Sequence, residues 1–289
     1  MLPGTRFRLL ALAAGGMLAL ASRAQTSAPA PTETAQELVR KVIARELADG
    51  EKPRQYIYRL RREAAEGSKS TTRDILDTRD GLVSRLVASN DRPPTAEERA
   101  KDDRHLEKLL AHPEEQRKRK QRQKEDAEQV RKLLRAIPDA FLFEQDGTEP
   151  GPRGELARLK FRPNPDFHPP SRETIVYKGM EGILVVEPRD LRLVRIDSSL
   201  VESVTLGWGL LARLNKGGRF TLEQSLLPDG EWQTTRMTLD FTGKAFLFKT
   251  IRIKQKQTIT DFRLAPANLS LAEGIELLKR QNAAVAEKK

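Results

Sequence analysis

Between Arg219 and Phe262 the chain alternates apolar and polar residues with a period of two, broken only by short connections. RFTLEQSLL runs into Pro228-Asp229-Gly230, EWQTTRMTLDF follows that turn, and KTIRIKQKQTITDF sets Ile251, Ile253 and Ile259 on one face and Arg252, Lys254 and Lys256 on the other. A period of two is a strand with one buried face. Pro-Asp-Gly makes a turn because proline presets φ and glycine accepts positive φ. Strands joined this closely pair as sequential antiparallel neighbours. The pattern recurs upstream. In RQYIYRLRRE, Tyr56, Tyr58 and Leu60 point one way and Arg59 the other, and TTRDILDTRDGLVSRLVASNDRPP reads as two strands about an Asp80-Gly81 turn. ELARLKFRP and LRLVRIDSSLVESV extend the series, and GILVVEP is apolar on both faces, as a central covered strand is.

Connections between strands are normally polar, yet TLGWGLLARLNKGG and TGKAFLFKT are not. In a meander both lie at the same edge. Trp208, Leu210 and Leu211 are thus expected beside Phe246 and Phe248 on one rim, with Arg213, Lys216 and Arg219 flanking the first loop and Lys244 and Lys249 the second. Apolar residues ringed by cations suit an acyl chain with an anionic headgroup, or an anionic membrane surface. The competing expectation is that both loops fold under the sheet and plug its end. Tyr56, Tyr58, Ile183, Val185, Phe220, Leu222, Met237, Leu239, Phe241, Ile251 and Ile253 are expected on inward faces, as core and cavity wall.

The N-terminus reads as an export signal. Arg6 and Arg8 precede the apolar run from Leu9 to Leu20, and Ser22-Arg23-Ala24 supplies small residues for cleavage near Ala24. That run is too short to span a bilayer. Residues 25–34 read as a disordered Pro/Ala/Thr spacer. The chain has no cysteine, so neither a lipoprotein anchor nor a disulfide is available and stability rests on a core. The net charge is +11. In a periplasmic protein the fitting partners are anionic lipid headgroups, glycans or cell-wall polymers, with no nucleic acid among them.

AQELVRKVIARELADG carries a helical apolar stripe closed by Gly50, and Ser270 with Glu273 caps a C-terminal helix. Residues 95–137 are helical and highly charged. Thr95 and Glu98 form a capping box, and His112-Pro113 separates helices expected at 96–111 and 113–136. Leu106, Leu109 and Leu110 give the first a short stripe, and Val130, Leu133, Leu134 and Ile137 give one to the end of the second, so most of this segment is expected to project into solvent. The basic run Arg117 to Lys124 reads as a solvated face.

Nothing in the sequence assembles a reaction centre. His105 and His112 lack metal-site spacing, His168 sits in a Pro-rich loop, and no GxSxG, P-loop or GxGxxG is present. A non-enzymatic protein with no cofactor is expected.

The export signal, the helix preceding YIYRLRR, and GILVVEPRDLRLVRIDSSLVES, with Pro188 directly after Glu187, together resemble the LolA/LolB-like superfamily of exported lipoprotein-sorting proteins. IPDAFLFEQ and LLARLNKGGRFTLEQ resemble a branch of unknown function. The resemblance covers roughly residues 35–264 and implies an α+β fold, a curved antiparallel half-barrel sheet with packing helices; residues 95–137 read as a charged helical-hairpin insertion in it and 265–289 as a C-terminal helix and tail. It implies an apolar cavity holding a lipid or acylated protein, and no one Arg is assigned to the headgroup. The alternative is a stress-signalling module in which helices 95–137 bind an envelope partner protein.

Overall fold

The computed structural model describes residues 33–50, 56–63, 69–206, 212–245 and 249–286. The expected signal (1–24), nearly all of the spacer, and Trp208, Leu210, Leu211, Phe246 and Phe248 lie outside them. The fold is mixed α+β, built on one antiparallel sheet of 12 strands that is not closed into a barrel. In chain order the elements are α1 (Ala35–Asp49), β1 (Tyr56–Glu63), β2 (Ser70–Thr78), β3 (Gly81–Ser89), α2 (Ala96–Ala111), α3 (Pro113–Ala140), β4 (Phe141–Gly151), β5 (Gly154–Pro163), a 3-10 helix (Glu173–Gly179), β6 (Met180–Glu187), β7 (Arg192–Leu200), β8 (Val204–Leu206), β9 (Ala212–Leu214), β10 (Arg219–Leu226), β11 (Trp232–Ala245), β12 (Lys249–Leu264) and α4 (Leu271–Ala286). The strands run β3-β2-β1-β12-β11-β10-β7-β6-β5-β4, with β8 on β9 and β9 on β11. The expected meander is present as β10-β11-β12.

Residues opposed across an antiparallel pair share a face. Following the register, Leu60 opposes Ile259, Gln255 opposes Leu239, Ile253 opposes Phe241, Leu239 opposes Phe220, Leu222 opposes Ile196, and Ile196 opposes Leu184. All these side chains lie on what we call the front face. Ile57, Leu76 and Val83 also oppose one another, but on the back face, one residue out of phase with Tyr58 and Ile75. The protein therefore has two cores on opposite sides of one sheet. The larger lies on the front, where α1 brings Leu38, Val39, Val42 and Ile43 and the end of α3 brings Ala136 and Ile137 onto Leu159, Leu184, Leu193 and Phe241. The smaller lies on the back of β1–β3, where α4 packs Leu271, Ile275 and Leu278 and α2 packs Leu106 and Leu109.

Elsewhere the back face is ionic. Glu149 joins Arg158 and Arg195, Arg236 meets Glu223, and the wholly buried Asp74 is held by Arg59 through two hydrogen bonds of 2.9 and 3.2 Å. Ile183 opposes Lys160 and Asp197, and Val185 opposes Arg158 and Arg195. Both expected cavity-wall residues are thus on the back. The cause is that β6 carries no polar side chain from Gly182 to Val186, so alternation does not tell its two faces apart.

The charged helices do not stand free. β3 is an edge strand, and its outward N–H groups need partners. Asp102 of α2 accepts from the Leu86 N–H at 2.9 Å, and Gln123 of α3 accepts from the Leu82 N–H at 3.1 Å. Lys120 donates to the Arg79 carbonyl at 2.6 Å. Gly81 has φ of 115°, and a Cβ there would meet Gln123 Oε1 at 2.8 Å. The expectation of a projecting segment is corrected accordingly: the outer sides are solvated, but both helices are fastened along the edge. Leu110 and Val130, expected on apolar stripes, are exposed. α3 runs four residues beyond its expected end at 136, to Ala140.

β4 was not anticipated. Asp146, Gly147 and Pro150 read as turn residues, yet an edge strand tolerates proline and a bulge. The register shifts between Gln145 and Thr148, where Gly147 takes φ of 91°. The Thr205–Gly218 connection is likewise not wholly a loop, since β8 and β9 form a small hairpin at its base.

Candidate functional site

The front core contains a gap. Between α3, the 3-10 helix and strands β4 to β7 and β10 lies a cavity of about 50 Å3. Its wall is aromatic. Phe141 meets Phe161 edge-on at 4.8 Å and Tyr177 at 5.0 Å, Phe143 meets Phe161 at 6.0 Å, and Phe220 closes the β10 side. The hydroxyls near it are already bonded. Ser198 Oγ donates to the Phe220 carbonyl at 3.0 Å, and the Tyr177 hydroxyl donates to the Leu133 carbonyl at 3.2 Å. Burial pushes the Tyr177 phenol well above its usual range. A wall whose polar groups are internally satisfied offers an occupant dispersion and desolvation but no hydrogen bond. The space is smaller than the ~300–1,000 Å3 of a small-molecule pocket, so admitting a chain requires the half-buried Phe143 and Phe220 to turn aside. From Phe220 a strip of half-buried apolar side chains, Leu222, Met237 and Leu239, continues over β10 and β11 to β12, where Gln255 and Gln257 lie between Ile259 and Ile253, the last 42% exposed.

The residues singled out from the sequence are scattered over this frame. Met237 lies on the strip. Phe241 is buried in the core against Gly218, where a Cβ would come within 2.3 Å of its ring. Tyr56 is buried at the far end of the sheet, donating to Asp229 of the Pro228 turn and standing edge-on to Phe262 at 5.9 Å. Tyr58 lines a separate cleft under α3. Trp208, Leu210, Leu211, Phe246 and Phe248 lie outside the described residues, but their flanks converge: Ala212 pairs with both Leu206 and Ala245. Arg213, Lys216, Arg219, Lys244 and Lys249 are all exposed, and none makes an ion pair among the described residues. Arg213 directly opposes Lys244 on the back face, an arrangement that costs stability for like charges. Lys249, opposite Ala245, is on the front. The cavity aromatics Phe141, Phe143, Phe161 and Tyr177 were missed. Their one signal was the alternation of Phe141 and Phe143 in AFLFEQ, obscured by the turn residues that follow.

Tyr56 gives a pH signature. Burial and the Asp229 carboxylate push its phenol from 10.0 up to about 12. A raised folded pKa contributes stability that is complete below pH 10 and disappears as pH rises toward about 12. Tyr177 acts in the same direction. The hydrogen bond from Tyr56 lowers the Asp229 pKa, so on the acid side this contact is lost as pH falls below 3.8. Tyr56→Phe is expected to flatten the alkaline limb of a melting-temperature profile and to delete one late step in the ultraviolet phenol titration.

Among the described residues no group of three or more His, Cys, Asp or Glu side chains is placed to hold a metal ion, and no helix is long and apolar enough to cross a membrane. No family model, curated protein or solved structure matches the chain.

Proposed function

We propose that the protein is an exported, non-enzymatic binding protein that carries or senses a lipid or lipidated protein, with the sheet curving as a half-barrel about the acyl chain. The observation that supports this most is the aromatic cavity, whose hydroxyls are already satisfied and whose wall continues into the half-buried strip toward Ile253. An apolar chain gains there by leaving water, about 0.8 kcal/mol per buried methylene. Trp208, Leu210, Leu211, Phe246 and Phe248 would rim the entrance, with Lys249 on the front face toward an anionic headgroup, while Arg213, Arg219 and Lys244 on the back face, with Lys216, would meet an anionic membrane surface. The test is mass spectrometry of an organic extract of the protein purified from its native envelope without detergent. A stoichiometric acyl species is expected, and Phe220→Ser should reduce it severalfold while leaving the protein folded. A folded but empty protein overturns the reading and turns attention to a partner of helices 95–137. Deleting that segment is not a clean test of the partner, because Asp102 and Gln123 cap the β3 edge. Charge reversal at the exposed Arg117 and Arg122 is the appropriate variant.

A further inference from the structure

A second cavity lies at the other end of the front face, between Arg119 and Gln123 of α3 and side chains of β1, β2 and β3. Its volume is about 180 Å3, and its floor is Tyr58, Leu60, Ile75 and Leu82. Above the floor stand Arg62, Arg73 and Arg119, with Ser84 and Gln123, and no carboxylate lines the space. Arg73 is neutralised: it bonds Asp102 from outside the cleft and Ser84 Oγ at 3.0 Å. Arg62 and Arg119 make no hydrogen bond or ion pair with any described residue. Arg119 is half-buried, and burial together with the nearby Arg73 lowers its pKa. A guanidinium withdrawn from water without an anion costs free energy that a ligand can return. Its planar fork suits the oxygens of a phosphate or carboxylate. The cleft is also prebuilt, because Gln123, one turn beyond Arg119, is fixed to the Leu82 N–H and Lys120 to the Arg79 carbonyl.

We propose that this cleft binds a small organic anion, a phosphate monoester or carboxylate on a short apolar body, with the charge between Arg119 and Arg62 and the body on the Tyr58–Leu60–Ile75 floor. The volume admits a headgroup and a few carbons rather than a whole lipid tail. The site is independent of the aromatic cavity, and its fate does not depend on that cavity's occupant.

Calorimetric titration with butyl phosphate tests it, with inorganic phosphate and phosphatidylglycerol vesicles as separate arms. The expected result is one butyl phosphate per chain, bound at least about tenfold more tightly than inorganic phosphate, with affinity falling as salt rises. Loss of a charged hydrogen-bonding partner should weaken binding about tenfold or more in Arg119→Met. That variant should melt at the same temperature as the parent or higher, since it removes an unpaired half-buried cation. Arg62 is exposed, so Arg62→Gln weakens binding with no risk to the fold, and Phe220→Ser leaves it unchanged. Absence of heat with butyl phosphate at two temperatures, equal affinity for inorganic phosphate, undiminished binding in both arginine variants, or binding to vesicles alone would each overturn the proposal.

Discussion

Replacing Arg192 with leucine is expected to lower the unfolding free energy by about 3–5 kcal/mol, the usual cost of stripping one partner from a buried ion cluster. Arg192 begins β7 and is 6% exposed. It bonds Asp49 through Nη1, approaches the Trp232 carbonyl through Nη2 at 3.4 Å, and lies 3.5 Å from Glu46 through Nε, a charge contact rather than a hydrogen bond. Glu46 also accepts from the Leu193 N–H and from Gln224 Nε2, each at 3.1 Å. The cluster thereby fixes the end of α1 to β7 and β10. Without the guanidinium two nearly buried carboxylates lose the cation between them, with Arg45, half-exposed, at 3.3 Å from Asp49. Equilibrium urea unfolding measures the loss. Adding Glu46→Gln to Arg192→Leu should restore part of it, and strict additivity of the two substitutions would show that Glu46 and Arg192 do not interact.

Ile275→Ala in α4 is expected to cost about 2–5 kcal/mol, the range for a fully buried aliphatic side chain cut to alanine. Ile275 is 1% exposed and packs in the smaller core with Ile57, Leu76 and Val83. Repair by collapse is limited because α4 already lies close to the sheet: a Cβ on Gly274 would come within 2.7 Å of Thr78 Cγ2. Native-state hydrogen exchange should show the largest loss of protection in α4, β2 and β3, with β6 and β7 affected less. Equal loss everywhere would mean that the two cores unfold as one.

Much of the framework was legible locally. The isoleucines of β12, the tyrosines of β1, the Pro228 and Asp80-Gly81 turns and the caps at Thr95 and Ser270 each depend on residues a few positions apart, and the structure has all of them. Period two identifies an apolar face but not the side of the sheet to which it belongs. The separation of Ile57, in the smaller core, from Tyr58, on the opposite face under α3, therefore depended on which helix covers which side. The pairing of β1 with β12 leaves no local trace either. β4 was hidden because an edge strand exposed on most positions has the composition of a loop. The aromatic cavity gathers side chains from five strands and two helical segments, and the arginine cleft depends on where α3 passes. Neither arrangement is written in any one stretch of sequence.

The strand order also constrains how the chain folds. β1–β3 is contiguous in sequence, and so is the block from β4 to β12; between them runs the seam where Leu60 meets Ile259. Contacts across that seam close the longest loop in the sheet, so they carry the greatest chain-entropy cost and are expected to form late. The terminal helices cross it in opposite directions: α1 precedes β1 yet packs on β4 and β7, and α4 follows β12 yet packs on β2 and β3. Each block is held by a helix from the far side of the seam, while α3, 28 residues and about 42 Å long, leads from one free edge to the other. Once these three helices have docked, the blocks cannot separate without undoing a core on each face, and a sheet with two open edges acquires the kinetic persistence of a closed one.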